Sequence, residues 1–190
     1  QRAGRAGRLG PGRCYRLWSS EQHERLAEAR PPAIRVADLA AVLLETAVWG
    51  VTDPQALCWL DPPPRATVAQ ARALLEALGA LDLNGRITER GLAMADLPVH
   101  PRLAAMIAAD NDPTTQALAC DLAAILEARD PLARGSVGAD VTERLIGLAE
   151  KTRQFASISR DALSLRRRLG VEKVVAAPPA RAGRLLCVAY

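Results

Sequence analysis

The chain has 190 residues, 49% of them hydrophobic and only 3% aromatic, and a formal net charge of +4. That length holds one or two small domains, and Leu, Ala and Val must fill the core. The first 17 residues carry five arginines and no acid, so the other 173 sum to −1. This excludes a uniformly basic nucleic-acid coat, and no stretch approaches the ~20 uninterrupted apolar residues of a membrane span.

Residues 1–8 read Gln1-Arg2-Ala3-Gly4-Arg5-Ala6-Gly7-Arg8. Arginine recurs at every third position. The Gly and Ala spacers let the backbone approach a ligand closely, and each guanidinium is a permanently charged fork suited to phosphate oxygens. The leading glutamine is able to hold a phosphate oxygen or a water. The segment reads as a grip for a polyphosphate. The alternative is a disordered basic tail. Against it stand a turn pattern, Leu9-Gly10-Pro11-Gly12, and then Arg13 to Trp18, whose alternation and aromatic content predict a strand.

Ser20 opens a polar helical stretch, and Arg30-Pro31-Pro32 reads as a linker. Val36, Leu39, Ala40, Leu43 and Ala47 share one helical face. Asp53-Pro54 predicts a capped short helix running to about Leu60. Thr67 to Gln70 has a capping-box pattern, followed by an apolar stripe, Val68, Ala71, Leu74, Leu75 and Leu78, with Gly79 as the C-terminal cap. Asn84-Gly85 between alternating apolar residues predicts a hairpin. Helix, short helix, helix, hairpin is the order of a winged helix, placed at 31–96. From Leu97 onward the pattern is helical, with proline-led starts at His100-Pro101 and Asp112-Pro113. Three further helices are marked by Leu118, Leu122, Ile125 and Leu126; by Val141, Leu145 and Leu148; and by Ile158, Leu165 and Leu169, the last closed by Gly170. Leu185 to Tyr190 is open between strand and helix. The fold class expected is mainly α: a short leading segment, a winged helix with a β-hairpin, and a helical bundle at 97–190.

Other candidate sites are weaker. The third helix of the winged-helix pattern, Thr67 to Leu78, carries only Arg72 and Glu76, so it is a poor DNA reader and more suited to packing between domains. Arg166-Arg167-Arg168, with Arg160 and Lys173, is a candidate RNA-backbone contact, but a helix spreads three successive residues around its axis, and a solvated face is preferred. Trp18, Trp49 and Trp59 are candidates for stacking on bases, but Trp49 and Trp59 lie in apolar helical surroundings and are expected in the core. Glu127 and Asp130 are expected to face solvent and Arg129 or Arg134. Cys14, Cys58, Cys120 and Cys187 lack Cys-x-x-Cys spacing and read as reduced buried thiols of a cytosolic protein. No metal-ligand set and no signal peptide is evident.

Gln1 to Arg8, followed by Gly10-Pro11-Gly12-Arg13-Cys14-Tyr15-Arg16-Leu17, closely resembles motif VI of DEAH-box RNA helicases and the strand after it. The family pattern, Gln-x-x-Gly-Arg-x-Gly-Arg, is met at every fixed position. Further stretches resemble the family's winged-helix and ratchet landmarks in family order: Leu60-Asp61-Pro62-Pro63-Pro64, Leu78-Gly79-Ala80-Leu81, Gly85-Arg86-Ile87-Thr88 with Gly91, and Leu97-Pro98-Val99-His100-Pro101-Arg102-Leu103-Ala104. Leu126 to Leu132 and Gly183 to Tyr190 resemble its bacterial HrpB-like branch.

The resemblance implies that residues 1–30 end a second RecA-like domain. It implies that Arg5 and Arg8 are arginine fingers, and that Gln1 and Gly4 belong with them to the nucleotide site. ATP and Mg²⁺ would serve the whole enzyme, with the metal ligands elsewhere. Single-stranded RNA would be the partner, Arg102 a candidate contact in its channel, and a first RecA-like domain would complete the site in cis. No Walker A loop and no Asp-Glu-Ala-His box is present. The chain is therefore expected to be a fragment of a cytoplasmic helicase, with an incomplete ratchet domain, inactive toward ATP by itself. The competing expectation is a non-enzymatic winged-helix module for DNA or protein binding.

Overall fold

In the computed structural model, residues 2–27, 30–132 and 138–190 are described, and the chain divides into two units, Gln1–Ala33 and Ile34–Tyr190. The first unit holds one helical turn, α1 (Arg2–Arg5), and a short helix, α2 (Ser20–Glu24). The capping box that starts α2 is complete: Gln22 N donates to Ser19 Oγ at 3.1 Å, and Ser19 N to Gln22 Oε1 at 3.3 Å. The strand expected over Arg13 to Trp18 does not form. Residues 11–17 are exposed and belong to neither helix nor strand. A strand is stabilised by ladder bonds to a neighbour, and among the described residues of this unit the segment has none.

A four-residue turn, α3 (Ala33–Val36), falls at the division. Val36 is exposed, contrary to the single apolar face expected from Val36 to Ala47. The helix breaks at Asp38, whose Oδ1 accepts from Ala40 N at 2.7 Å and starts α4 (Ala40–Val48) afresh. Leu39, Leu43, Leu44 and Ala47 then pack with Val68, Ala71 and Leu75 of α5 (Arg65–Ala77) in the core. Between them, Asp53 caps a single 3₁₀ turn, Pro54–Ala56, so the helix predicted to reach Leu60 is shorter. The capping box at Thr67 is not used. The helix starts three residues earlier, with Pro64 at the cap position and no side-chain cap.

The hairpin is reduced to one antiparallel bridge, Leu81 with Ile87. Its turn uses three residues, not the two of an Asn-Gly pair. Gly85 N donates to Asp82 O, and Asp82 N to Arg86 O, each at 2.9 Å. Gly85 alone takes positive φ, +75°. This is the three-residue hairpin with glycine in the left-handed position. The Asp82 carboxylate fastens it, accepting from Asn84 N and Arg86 N. α6 (Glu89–Ala95) follows, capped by Thr88.

The remaining helices are α7 (Pro101–Ile107), α8 (Pro113–Glu127), α9 (Val141–Ala149), α10 (Ala156–Arg168) and α11 (Ala182–Ala189). α8 is the hub, packed against α7, α9, α10 and α11, and α7 joins it to α4 and α6. One continuous core therefore runs from Leu39 to Ala189. The stretch left open between strand and helix is α11. Both proline-led starts hold. At the first, His100 Nδ1 accepts from Arg102 N at 3.2 Å. Its Nε2 lies 3.5 Å from Asp38 Oδ2, which ties the starts of α4 and α7 together.

At the second, Asp112 accepts from the Thr114 hydroxyl at 2.6 Å and from Thr115 N and Oγ1 at 2.9 and 2.7 Å. These donors, the Thr114 hydroxyl first, hold its carboxyl down at about 2, against an ordinary 3.8. Asp82, Asp130 and Asp140 are lowered too, chiefly by the Arg86 N–H, the Arg144 guanidinium and the Thr142 N–H. A carboxyl whose folded pKa lies below its unfolded one stabilises the fold above the unfolded value and loses that contribution as pH falls through the folded one. The melting temperature should therefore decline from about pH 4 toward pH 2. Asp112→Asn, which keeps an acceptor but cannot titrate, should flatten part of that decline. A melting temperature independent of pH in this window would contradict the assignment.

Candidate nucleotide segment and nucleic-acid interface

The basic segment is held open. Arg5 and Arg8 are exposed, and a Cβ placed on Gly4 would meet nothing within 4 Å. The loop after α1 folds back so tightly that a Cβ on Gly12 would overlap the Ala6 carbonyl. Glycine is required there by close backbone approach rather than by its dihedral angles. Arg16 Nη1 donates to His23 Nε2 at 2.9 Å, and the Trp18 and His23 rings lie 6.4 Å apart. Gln1 and the side chain of Arg2 lie outside the described residues. The arrangement offers Arg5 and Arg8 as charged donors with no acid in the octapeptide, a donor set that fits a polyphosphate. Among the described residues no three His, Cys, Asp or Glu side chains gather as a metal-ligand set.

Arg102 is committed locally. Its Nη1 donates to Ala189 O at 2.7 Å, and its guanidinium lies over the Tyr190 ring at 5.6 Å. It thereby fastens the end of α11 to the start of α7.

The three consecutive arginines separate. Arg166 donates to both carboxylate oxygens of Asp121 and, at 3.0 Å, to Val174 O. The expected solvated face does not apply to it: its side chain is 16% exposed and that of Asp121 is 14%. Burial pushes the Asp121 carboxyl up, and the Arg166 bonds only partly oppose it. No local signal predicted this pair, because its members stand 45 residues apart. Arg168 donates to Asp96 O at 3.1 Å, while Arg167 is exposed.

Glu127 accepts from His100 N at 2.9 Å, and Asp130 pairs with Arg144 at 2.6 Å, in place of the Arg129 or Arg134 partners expected; Arg134 lies outside the described residues. Trp49 is 72% exposed, contrary to the core position expected. Trp59 is half-buried and donates to Pro54 O at 2.7 Å. With Val42, Glu45, Leu57 and Cys58 the two rings line a groove of about 550 Å³. Trp49 stays outside the core because its neighbour is the short 3₁₀ segment, which leaves one side of α4 uncovered. Of the cysteines only Cys120 is buried, and burial pushes its thiol up to about 12. Cys14, Cys58 and Cys187 are exposed, contrary to expectation.

Residues 71–99 match the winged-helix model of the helicase-associated domain, HA2. The crystal structure of the Escherichia coli DEAH/RHA helicase HrpB superposes over 100% of the chain with a TM-score of 0.81 and 36% identity, covering 23% of that molecule. Escherichia coli ATP-dependent RNA helicase HrpB is 42% identical over 138 residues, 73% of this chain. The chain belongs to the DEAH-box RNA helicase family. It corresponds to the family's carboxy-terminal region, in which the HA2 winged helix lies. The human protein named probable ATP-dependent RNA helicase DHX35 is 38% identical over 108 residues, 56% of this chain. The chain spans only 17% of HrpB and 15% of DHX35. Among the described residues no helix is long and apolar enough to cross a membrane.

Proposed function

We propose that this chain works as part of an ATP-dependent RNA helicase. Residues 1–30 end the second RecA-like domain, 31–96 form the winged helix, and 97–190 form part of the ratchet domain. The observation that carries this reading is that an octapeptide with every fixed position of motif VI leads a fold matching HrpB over the whole chain.

In this reading ATP with Mg²⁺ supplies the transferable phosphoryl group. Arg5 and Arg8 aim their forks at its γ-phosphate side and stabilise the charge that develops there. Gln1 holds a phosphate oxygen or the attacking water, and Gly4 keeps the backbone close. The metal ligands and the other wall of the site come from a first RecA-like domain in cis. The winged helix, sharing one core with the bundle, carries domain motion to a bundle that grips single-stranded RNA in the cytoplasm.

The test is RNA-stimulated ATP hydrolysis. The whole protein should hydrolyse ATP faster when single-stranded RNA is added, and the 190-residue chain alone should not turn ATP over. A whole protein whose rate ignores RNA, or a chain that hydrolyses ATP by itself, would contradict the reading.

A further inference from the structure

α10 presents a basic face that its packing does not use. Its core side is formed by Ile158, Ala162 and Leu165. Arg160 and Arg167 lie on the opposite side, and both are exposed. Seven residues bring them within about 20° of each other around the helix and about 10.5 Å apart along it. Among the described residues neither lies within 4 Å of a carboxylate. Among the described residues the one side-chain hydrogen bond of Arg160 is a long one, 3.4 Å, to Ala156 O of its own helix. Arg160 is in mid-helix, where the macrodipole offers a cation nothing. Arg153, also exposed, stands seven residues earlier in the 3₁₀ turn before the helix. The single acid of α10, Asp161, sits about 100° round from Arg160, where it lines a recess with Glu127. The basic face itself therefore carries arginine and Ser164 but no acid.

We infer that Arg160 and Arg167, flanked by Arg153, form a phosphate-contacting stripe that seats the backbone of single-stranded RNA along the outer face of α10. This rests on the proposed RNA substrate. α10 carries no aromatic side chain on which a base would stack, so the interaction is with the backbone and independent of sequence. The neighbours Arg166 and Arg168 take no part, because Asp121 and the Asp96 carbonyl hold them.

The experiment is fluorescence anisotropy of a labelled oligouridine of roughly a dozen nucleotides, titrated with the whole protein across a salt series. On a single strand, removing one side chain that neutralises a phosphate lowers the slope of log K against log salt by about 0.7. Arg160→Ser with Arg167→Ser should therefore lower the slope by about 1.4 and weaken binding roughly 25-fold at about 0.1 M salt, taking the lines to meet near 1 M. Arg160→Lys with Arg167→Lys should keep the parental slope, which separates a missing charge from a damaged helix. Arg65→Ser with Arg86→Ser, which removes two charges from the winged helix, should keep it too. A serine pair with the parental slope overturns the stripe and leaves the RNA reading standing. An equal slope change from the winged-helix pair also overturns it, by showing that overall charge alone matters. A whole parent protein that does not bind oligouridine overturns both the stripe and the RNA reading.

Discussion

Arg5→Ala or Arg8→Ala in the whole protein is expected to lower the ATPase rate by at least about 10³-fold while leaving RNA affinity near the parental value. A finger of this kind is worth about 10³–10⁵ in rate because it meets charge that appears only as the phosphoryl group transfers. RNA binding draws on other surfaces and does not depend on that charge. In the structure both side chains are exposed, and the glycine between them and the chain start has open space around it. Neither arginine is spent on the fold, so alanine should cost chemistry and not stability. Lysine should restore the rate only partly, since a point charge cannot reproduce a bidentate fork. The measurement is steady-state ATPase at saturating RNA beside an RNA titration. Equal ATPase rates for variant and parent would refute the finger assignment.

Phe155→Ala should destabilise the second unit by about 3–5 kcal/mol. Phe155 is the chain's one phenylalanine and is fully buried. It closes the 3₁₀ turn Arg153–Phe155 that leads into α10. Its ring lies against Gly147 of α9, where a Cβ would come within 2.6 Å of ring carbon. The ring therefore fills the space that the glycine leaves, and truncation opens a cavity between α9 and α10 that the backbone cannot close. For a domain of this size the loss corresponds to a fall in melting temperature of roughly 6–20 °C. Phe155→Leu should cost less, because most of the volume stays. A thermal melt unchanged by Phe155→Ala would contradict the packing.

What is legible in the sequence is local chemistry. Asp53-Pro54, His100-Pro101 and Asp112-Pro113 start helical turns as predicted because cap and proline act within three residues of each other. Gly79 and Gly170 take positive φ at helix ends for the same reason. The octapeptide is legible because its charge and its small spacers are contiguous. What the sequence hides depends on distant neighbours. The stretch from Arg13 to Trp18 has strand composition but no ladder partner in its unit. Trp49 has an apolar sequence environment, yet exposure is decided by what packs across from α4. Arg102 finds its acceptor 87 residues away and Arg166 finds Asp121 45 residues away, separations at which periodicity carries no information. The same holds for the basic face of α10. Three consecutive arginines look equivalent in sequence, and only the structure shows that Asp121 and the Asp96 carbonyl hold two of them while Arg167 has no side-chain partner among the described residues.

The most direct test of the central claim is a structure of the whole protein with ADP, magnesium and aluminium fluoride, which mimics the transferring phosphoryl group. Guanidinium nitrogens of both Arg5 and Arg8 are expected within about 3.2 Å of the fluoride or phosphate oxygen ligands. Both side chains directed into solvent, with the octapeptide away from the nucleotide, would contradict it.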